Sequence, residues 1–107
     1  MTYGKVLAAL ADPTRRHILE TLRDGPQTVG ELARRQPVSR PAVSQHLKAL
    51  ESAGLVSVEP RGSRHLYLIR RDGLDDLRKY LASFWSDVLS AYGNEIARSV
   101  REQEQEE

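Results

Sequence analysis

Residues 12–41 contain three helix starts, each written in the side chains that satisfy the unpaired N–H groups of a first helical turn. Asp12-Pro13 sets a carboxylate at the N-cap and a proline where no N–H is needed. Thr28-Val29-Gly30-Glu31 has the form of a capping box, a hydroxyl at the N-cap with a carboxylate three residues on. Ser39 opens the third helix, with Pro41 in its first turn. The stops are as clear: Asp24-Gly25-Pro26, Gln36-Pro37-Val38 and Gly54. Such close punctuation leaves room only for short helices and tight turns. One helix carries Ile18, Leu19 and Leu22, a second runs through Arg35, and a third covers about residues 39–53. In the third, Val43, Leu47 and Leu50 form the stripe to be buried. At about 100° per residue, the opposite side carries Pro41, Ser44, Gln45, Lys48 and Ser52. That outer face is polar and nearly free of acids.

At Leu55 the period changes. Val56 and Val58, then Leu66, Tyr67, Leu68 and Ile69, are strand formers on either side of Pro60-Arg61-Gly62-Ser63-Arg64, which predicts a β-hairpin with a basic tip. Ahead of the capped helices, Val6, Leu7 and Leu10 predict one more brief helix, outside the main unit unless something covers it. From Leu74 to about Val100 a long helix carries more apolar residues than one face holds. Leu74, Leu77, Leu81, Phe84 and Val88 make one stripe; Trp85, Leu89, Tyr92 and Ile96 make a second. One core cannot cover both. The second stripe, with Val6 and Leu10, is expected at a subunit interface that also takes in Leu81 and Val88. Residues 101–107 have no apolar side chain and are expected as an acidic, disordered tail. The expected fold class is mainly α with a small β-hairpin wing, a winged helix-turn-helix, in one domain over residues 1–100.

The chain has no cysteine, which removes disulfides, thiolate metal sites and cysteine nucleophiles at once. No apolar run is long enough for a signal peptide or a membrane span, so a cytoplasmic protein with no membrane partner is expected. There is no nucleophile–base pair, glycine-rich phosphate loop or metal motif, so neither an enzyme nor a cofactor is expected. Net charge is only +1, but it is unevenly spread: twelve Lys/Arg against six Asp/Glu up to Arg71, then four against nine. A basic half that contains the third capped helix and the hairpin points to double-stranded DNA. A helix entering the major groove needs hydrogen-bonding side chains and no carboxylates in its first turns. Ser39, Arg40, Ser44, Gln45 and Lys48 meet that need, with Pro41 on the same face. Arg40 suits guanine, Gln45 suits adenine, and Ser39 at the helix N-terminus suits a phosphate. At the hairpin tip Arg61 and Arg64, flanking Gly62-Ser63, are spaced to reach a minor groove or its phosphates. The competing function is a winged-helix module that binds protein and not DNA; it predicts an acidic or apolar outer face, the opposite of the one read here.

Four stretches are Asp12-Pro13-Thr14-Arg15-Arg16-His17-Ile18-Leu19, Val29-Gly30-Glu31-Leu32-Ala33, Val43-Ser44-Gln45-His46-Leu47-Lys48-Ala49-Leu50 and Ala53-Gly54-Leu55-Val56. In order and spacing they closely resemble the ArsR family of bacterial repressors, over residues 6–81. The resemblance implies a homodimeric transcriptional repressor held together by its first and last helices. It places the capped helix of each subunit in successive major grooves of a palindromic operator, with half-sites about 34 Å apart or a multiple of that. It implies DNA contact for His46, whose position beside the buried stripe otherwise suits half-buried packing. Arg15 and Arg16 resemble a family pair with a structural role, ion-paired with a helix neighbour.

Many such proteins sense metals through cysteines in the helix before the turn or through Asp/His/Glu clusters on the last helix. This chain has Leu32-Ala33-Arg34-Arg35 in the first place, and in the second Asp75, Asp76, Asp87 and Glu95 without a histidine. His17, His46 and His65 show no ligand spacing, and no metal is expected. Phe84-Trp85-Ser86-Asp87-Val88-Leu89 resembles the aromatic final helix of members without a metal site, some of which need no inducer. These aromatics either close an interface or line a small-ligand pocket between subunits; no effector is indicated by the sequence.

Overall fold

The computed structural model describes residues 2–106, apart from the side chains of residues 2, 94, 96, 97 and 104–106. The elements are α1 (Thr2–Leu10), α2 (Pro13–Thr21), α3 (Val29–Ala33), α4 (Arg40–Ser52), β1 (Val56–Arg61), β2 (Arg64–Ile69) and α5 (Arg71–Glu106). This is the winged helix-turn-helix that the punctuation predicts. Asp12 Oδ1 accepts from the N–H groups of Thr14 at 2.8 Å and Arg15 at 3.2 Å. Thr28 and Glu31 make both bonds of the capping box. Ser39 Oγ accepts from the Ala42 N–H at 3.3 Å. After α2, one turn of 3-10 helix at Leu22–Asp24 leads to Gly25, whose φ of +129° only glycine adopts without strain.

A first compact unit ends at Leu77. Its core is made by Ile18, Leu22, Leu32, Val43, Leu47, Leu50, Leu55 and Val56, three of them from α4. Val6 and Ala9 of α1 are buried in the same core, so α1 belongs to the main unit and packs on α2 and α4. This corrects the expectation for Val6. It has 0% exposure within its own chain and no surface to offer a second subunit, while Leu10 is half-buried against the core. The large apolar side chain that α1 exposes is Leu7, about 100° round the helix from Val6.

β1 and β2 pair antiparallel from Val56–Ile69 at the base to Arg61–Arg64 at the tip, leaving Gly62-Ser63 as the turn. Gly62 at φ +61°, followed by a residue at negative φ, has the signature of a type II′ turn, whose twist suits a hairpin. At Tyr67, β2 also bridges Gln27: their backbones exchange N–H···O bonds of 3.0 and 2.7 Å, which stitch the hairpin to the segment ahead of α3.

α4 stops at Gly54, φ +75°, and the start of α5 closes on that stop. The Arg70 N–H donates to the Leu55 carbonyl and the Gly73 N–H to the Gly54 carbonyl, both at 2.9 Å. A Cβ on Gly73 would lie 2.7 Å from the Ala53 carbonyl oxygen and 2.9 Å from that of Gly54, so only glycine fits. This seam starts α5 at Arg71, ahead of the expected Leu74, and Leu74 and Leu77 then pack against the core.

From Arg78 onward α5 forms a second unit. Leu81, Phe84, Trp85, Leu89 and Tyr92 are exposed by 43, 57, 56, 62 and 65%, and Val88 is half-buried. Both apolar stripes are open here, where one was expected inside. Ile96, expected on the second stripe, lies outside the described residues. The helix continues through 101–106, where the sequence predicted a disordered tail; Arg, Glu and Gln are good helix formers. Among the described residues no helix is long and apolar enough to cross a membrane.

Candidate nucleic-acid interface

α4 is mounted by its apolar stripe. Val43, Leu47 and Leu50 have no exposed area, which turns Pro41, Gln45 and Lys48 outward; Ser39 and Arg40 are exposed as well, and Ser44 is half-buried. His46, beside the stripe, is half-buried and close to the N-cap of α2. There the Asp12 carboxyl is held below the usual carboxylate range, first by the Arg15 N–H, then by the Thr14 N–H and by the nearby His46 and Arg15 side chains. The Arg15 guanidinium lies 3.9 Å from Asp12, the helix-neighbour pairing predicted for it. Arg16 differs: it donates to the Leu10 carbonyl at 3.0 Å and so closes the end of α1.

Arg40 leans back towards α3. A Cβ on Gly30 would stand 3.8 Å from Arg40 Nη1, so the guanidinium rests against the first turn of α3. Glu31 belongs to the same turn, and its Oε1 accepts from the Thr28 N–H at 3.2 Å, the Thr28 hydroxyl at 3.0 Å and Arg64 Nη2 at 2.8 Å. The Thr28 N–H first, its hydroxyl next and Arg64 behind them hold the Glu31 carboxyl below the usual range.

The first turn of α3 is therefore where α4 and the hairpin each lodge a cation. Sequence reasoning gave this turn only a cap. The signal was faint, because a capping-box carboxylate has acceptor sites to spare but its partner stands 33 residues away. Among the described residues Arg61, by contrast, reaches only Glu59 on its own strand, at 3.7 Å, with its side chain 70% exposed. Ser63 is exposed at the turn and His65 beside it. Among the described residues no three His, Asp or Glu side chains are grouped to hold a metal ion.

Residues 12–58, which take in α2, α3, α4 and the start of β1, match the bacterial regulatory proteins of the arsR family. The likeness extends well beyond that stretch. The chain is 54% identical over 88 residues to the HTH-type transcriptional regulator Rv2034 of Mycobacterium tuberculosis, covering 82% of each. The chain belongs to the ArsR family. As an ArsR-family protein it is a transcriptional regulator with a winged helix-turn-helix DNA-binding domain, and not an enzyme. It is also 34% identical over 81 residues to the transcriptional repressor SdpR of Bacillus subtilis, covering 76% of this chain and 90% of that one. Among solved structures it is similar to the homodimeric winged helix-turn-helix DNA-binding domain of Mb0332 from Mycobacterium bovis. The TM-score is 0.62 at 29% identity, over 81% of this chain and 78% of the other.

Proposed function

We propose that this ArsR-family protein is a homodimeric repressor that occupies a palindromic operator in the cytoplasm, with α4 in the major groove and the hairpin tip, residues 60–64, at the minor groove or its phosphates. The observation that carries the reading is the outer face of α4: Pro41, Gln45 and Lys48 are exposed there, and no carboxylate occurs in the helix before Glu51. Gln45 suits adenine, and Lys48 suits guanine or a phosphate. The dimer is supported by the exposed Leu81, Trp85, Leu89 and Tyr92 and by the homodimeric state of the Mb0332 domain. Two linked α4 helices engage two half-sites at once, which gives tight binding without new contacts. The reading needs no metal, cofactor or small-molecule effector.

Titration of a labelled fragment of the protein's own promoter across a salt series tests it. With about six phosphates neutralised, log affinity falls against log salt with a slope of about −5. Gln45→Ala weakens specific binding by about 1–3 kcal/mol and leaves the dimer intact. A slope near zero overturns the reading in favour of a protein-binding winged helix, and a Gln45→Ala protein that binds like its parent removes α4 from the groove.

A further inference from the structure

The hairpin tip carries two arginines opposite each other in the last register pair, Arg61 and Arg64. Like charges so placed repel. Each is drawn to a carboxylate, but in different ways. Arg61 reaches Glu59 at 3.7 Å on its own strand, both side chains at least half exposed. Arg64 crosses to α3 and donates to Glu31 Oε1 at 2.8 Å. That carboxylate is already fixed, since the same oxygen accepts from the Thr28 N–H and hydroxyl. Pairing with a fixed partner costs the freedom of one long side chain instead of two. The bond also has leverage. β2 is stitched to Gln27 at Tyr67, and at roughly 3.3 Å per residue Arg64 lies about 10 Å nearer the tip. The two fastenings hold the hairpin near its base and at its end, both against residues 27–31.

We propose that Arg64 is a positioning residue that, through Glu31, fixes where the wing tip stands against α3, and that Arg61 is the wing cation left to meet DNA. The proposal rests on the DNA-binding reading above and divides the work of the two arginines. A phosphate at Arg64 has to displace a fixed carboxylate, whereas at Arg61 it displaces one long contact.

Glu31→Gln separates the roles, because glutamine keeps the capping box and removes the charge that Arg64 binds. In the free protein, hydrogen exchange at the amides of residues 61–66 reads the order of the wing with no DNA present. Glu31→Gln and Arg64→Gln are each expected to speed that exchange about twofold to fivefold, the range of an exposed ion pair, with the double variant no faster than either. On the operator both singles weaken binding by a like factor with the parent's salt slope, while Arg61→Gln weakens binding and makes the slope shallower by about one. If Glu31→Gln binds as tightly as the parent or tighter while Arg64→Gln loses slope, Arg64 is a phosphate contact and the proposal is overturned. Unchanged exchange in all the Glu31 and Arg64 variants overturns it equally. A parent that binds no DNA sinks the DNA-binding reading, and the exchange rates still decide whether Arg64 holds the wing.

Discussion

Leu47 and Trp85 both sit on helices with apolar residues at helical spacing, yet one has no exposed area and the other is 56% exposed. The difference is in the supply of partners. In the first unit, short capped helices turn their stripes towards one another and a hairpin closes the side, so each stripe has a cover within the chain. In the second unit a single helix carries the stripes, and one helix cannot cover itself. Periodicity says which side of a helix is apolar; it does not say what lies against it. An exposed row of aromatic and aliphatic side chains is the kind of surface that a second molecule covers.

Truncating one apolar side chain in each unit has the largest expected effects. Leu47→Ala is expected to cost about 2–5 kcal/mol of unfolding free energy, read by urea denaturation. Trp85→Ala is expected to spare the core and instead weaken subunit association by about 2 kcal/mol or more, read by sedimentation equilibrium. A Trp85→Ala protein that unfolds as readily as Leu47→Ala, with association unchanged, abolishes the distinction.

The same small change should have opposite signs in the two units. Gly73→Ala forces a Cβ against the Ala53 and Gly54 carbonyls and is expected to cost about 1–3 kcal/mol in thermal or urea unfolding. Gly93→Ala has nothing within 4 Å to meet and is expected to gain up to about 1 kcal/mol of helix propensity. A loss at Gly93 means that another chain packs against it in solution.

The smallest effect belongs to pH and is carried by two carboxylates of the first unit. Asp12 and Glu31 are both held below the ordinary carboxylate range by donors of a first helical turn. As pH falls, the unfolded chain takes up these protons before the folded one does. The stabilisation is therefore complete above the ordinary carboxylate pKa of about 4 and is lost as pH drops through the folded values. Tm is expected to decline between about pH 5 and pH 3, and Asp12→Asn, which keeps a cap but does not titrate, is expected to flatten part of the decline. A parent whose Tm is level over that range contradicts this.

Most of the first unit was legible because its determinants are local. Asp12, Thr28 and Ser39 cap within three residues of themselves, and Gly62-Ser63 makes its turn with no outside help. What escaped the sequence depends on neighbours. Val6 and Leu7 are alike in chemistry and adjacent in a brief helix, so nothing in the pattern decides which faces in. The start of α5 is set by the backbone of Gly54, which carries no side chain to read. Arg64 reads as a free cation until the fold brings Glu31 beside it. The candidate site shared this division: the outer face of α4 follows from its own stripe, whereas the lean of Arg40 over Gly30 belongs to the packing of two helices.

The seam between Gly54 and Gly73 has a consequence for how such a protein changes over generations. It is main chain on both sides, sealed by the Arg70–Leu55 and Gly73–Gly54 hydrogen bonds, and it makes no use of the side chains on the outer face of α4. Pro41, Gln45 and Lys48 stand outside both this seam and the buried stripe. They are free to vary one at a time without altering how the helix is seated. The lettering on the helix is replaceable while its bearing stays fixed, so, on the function proposed above, a new operator can be learned without the fold being relearned.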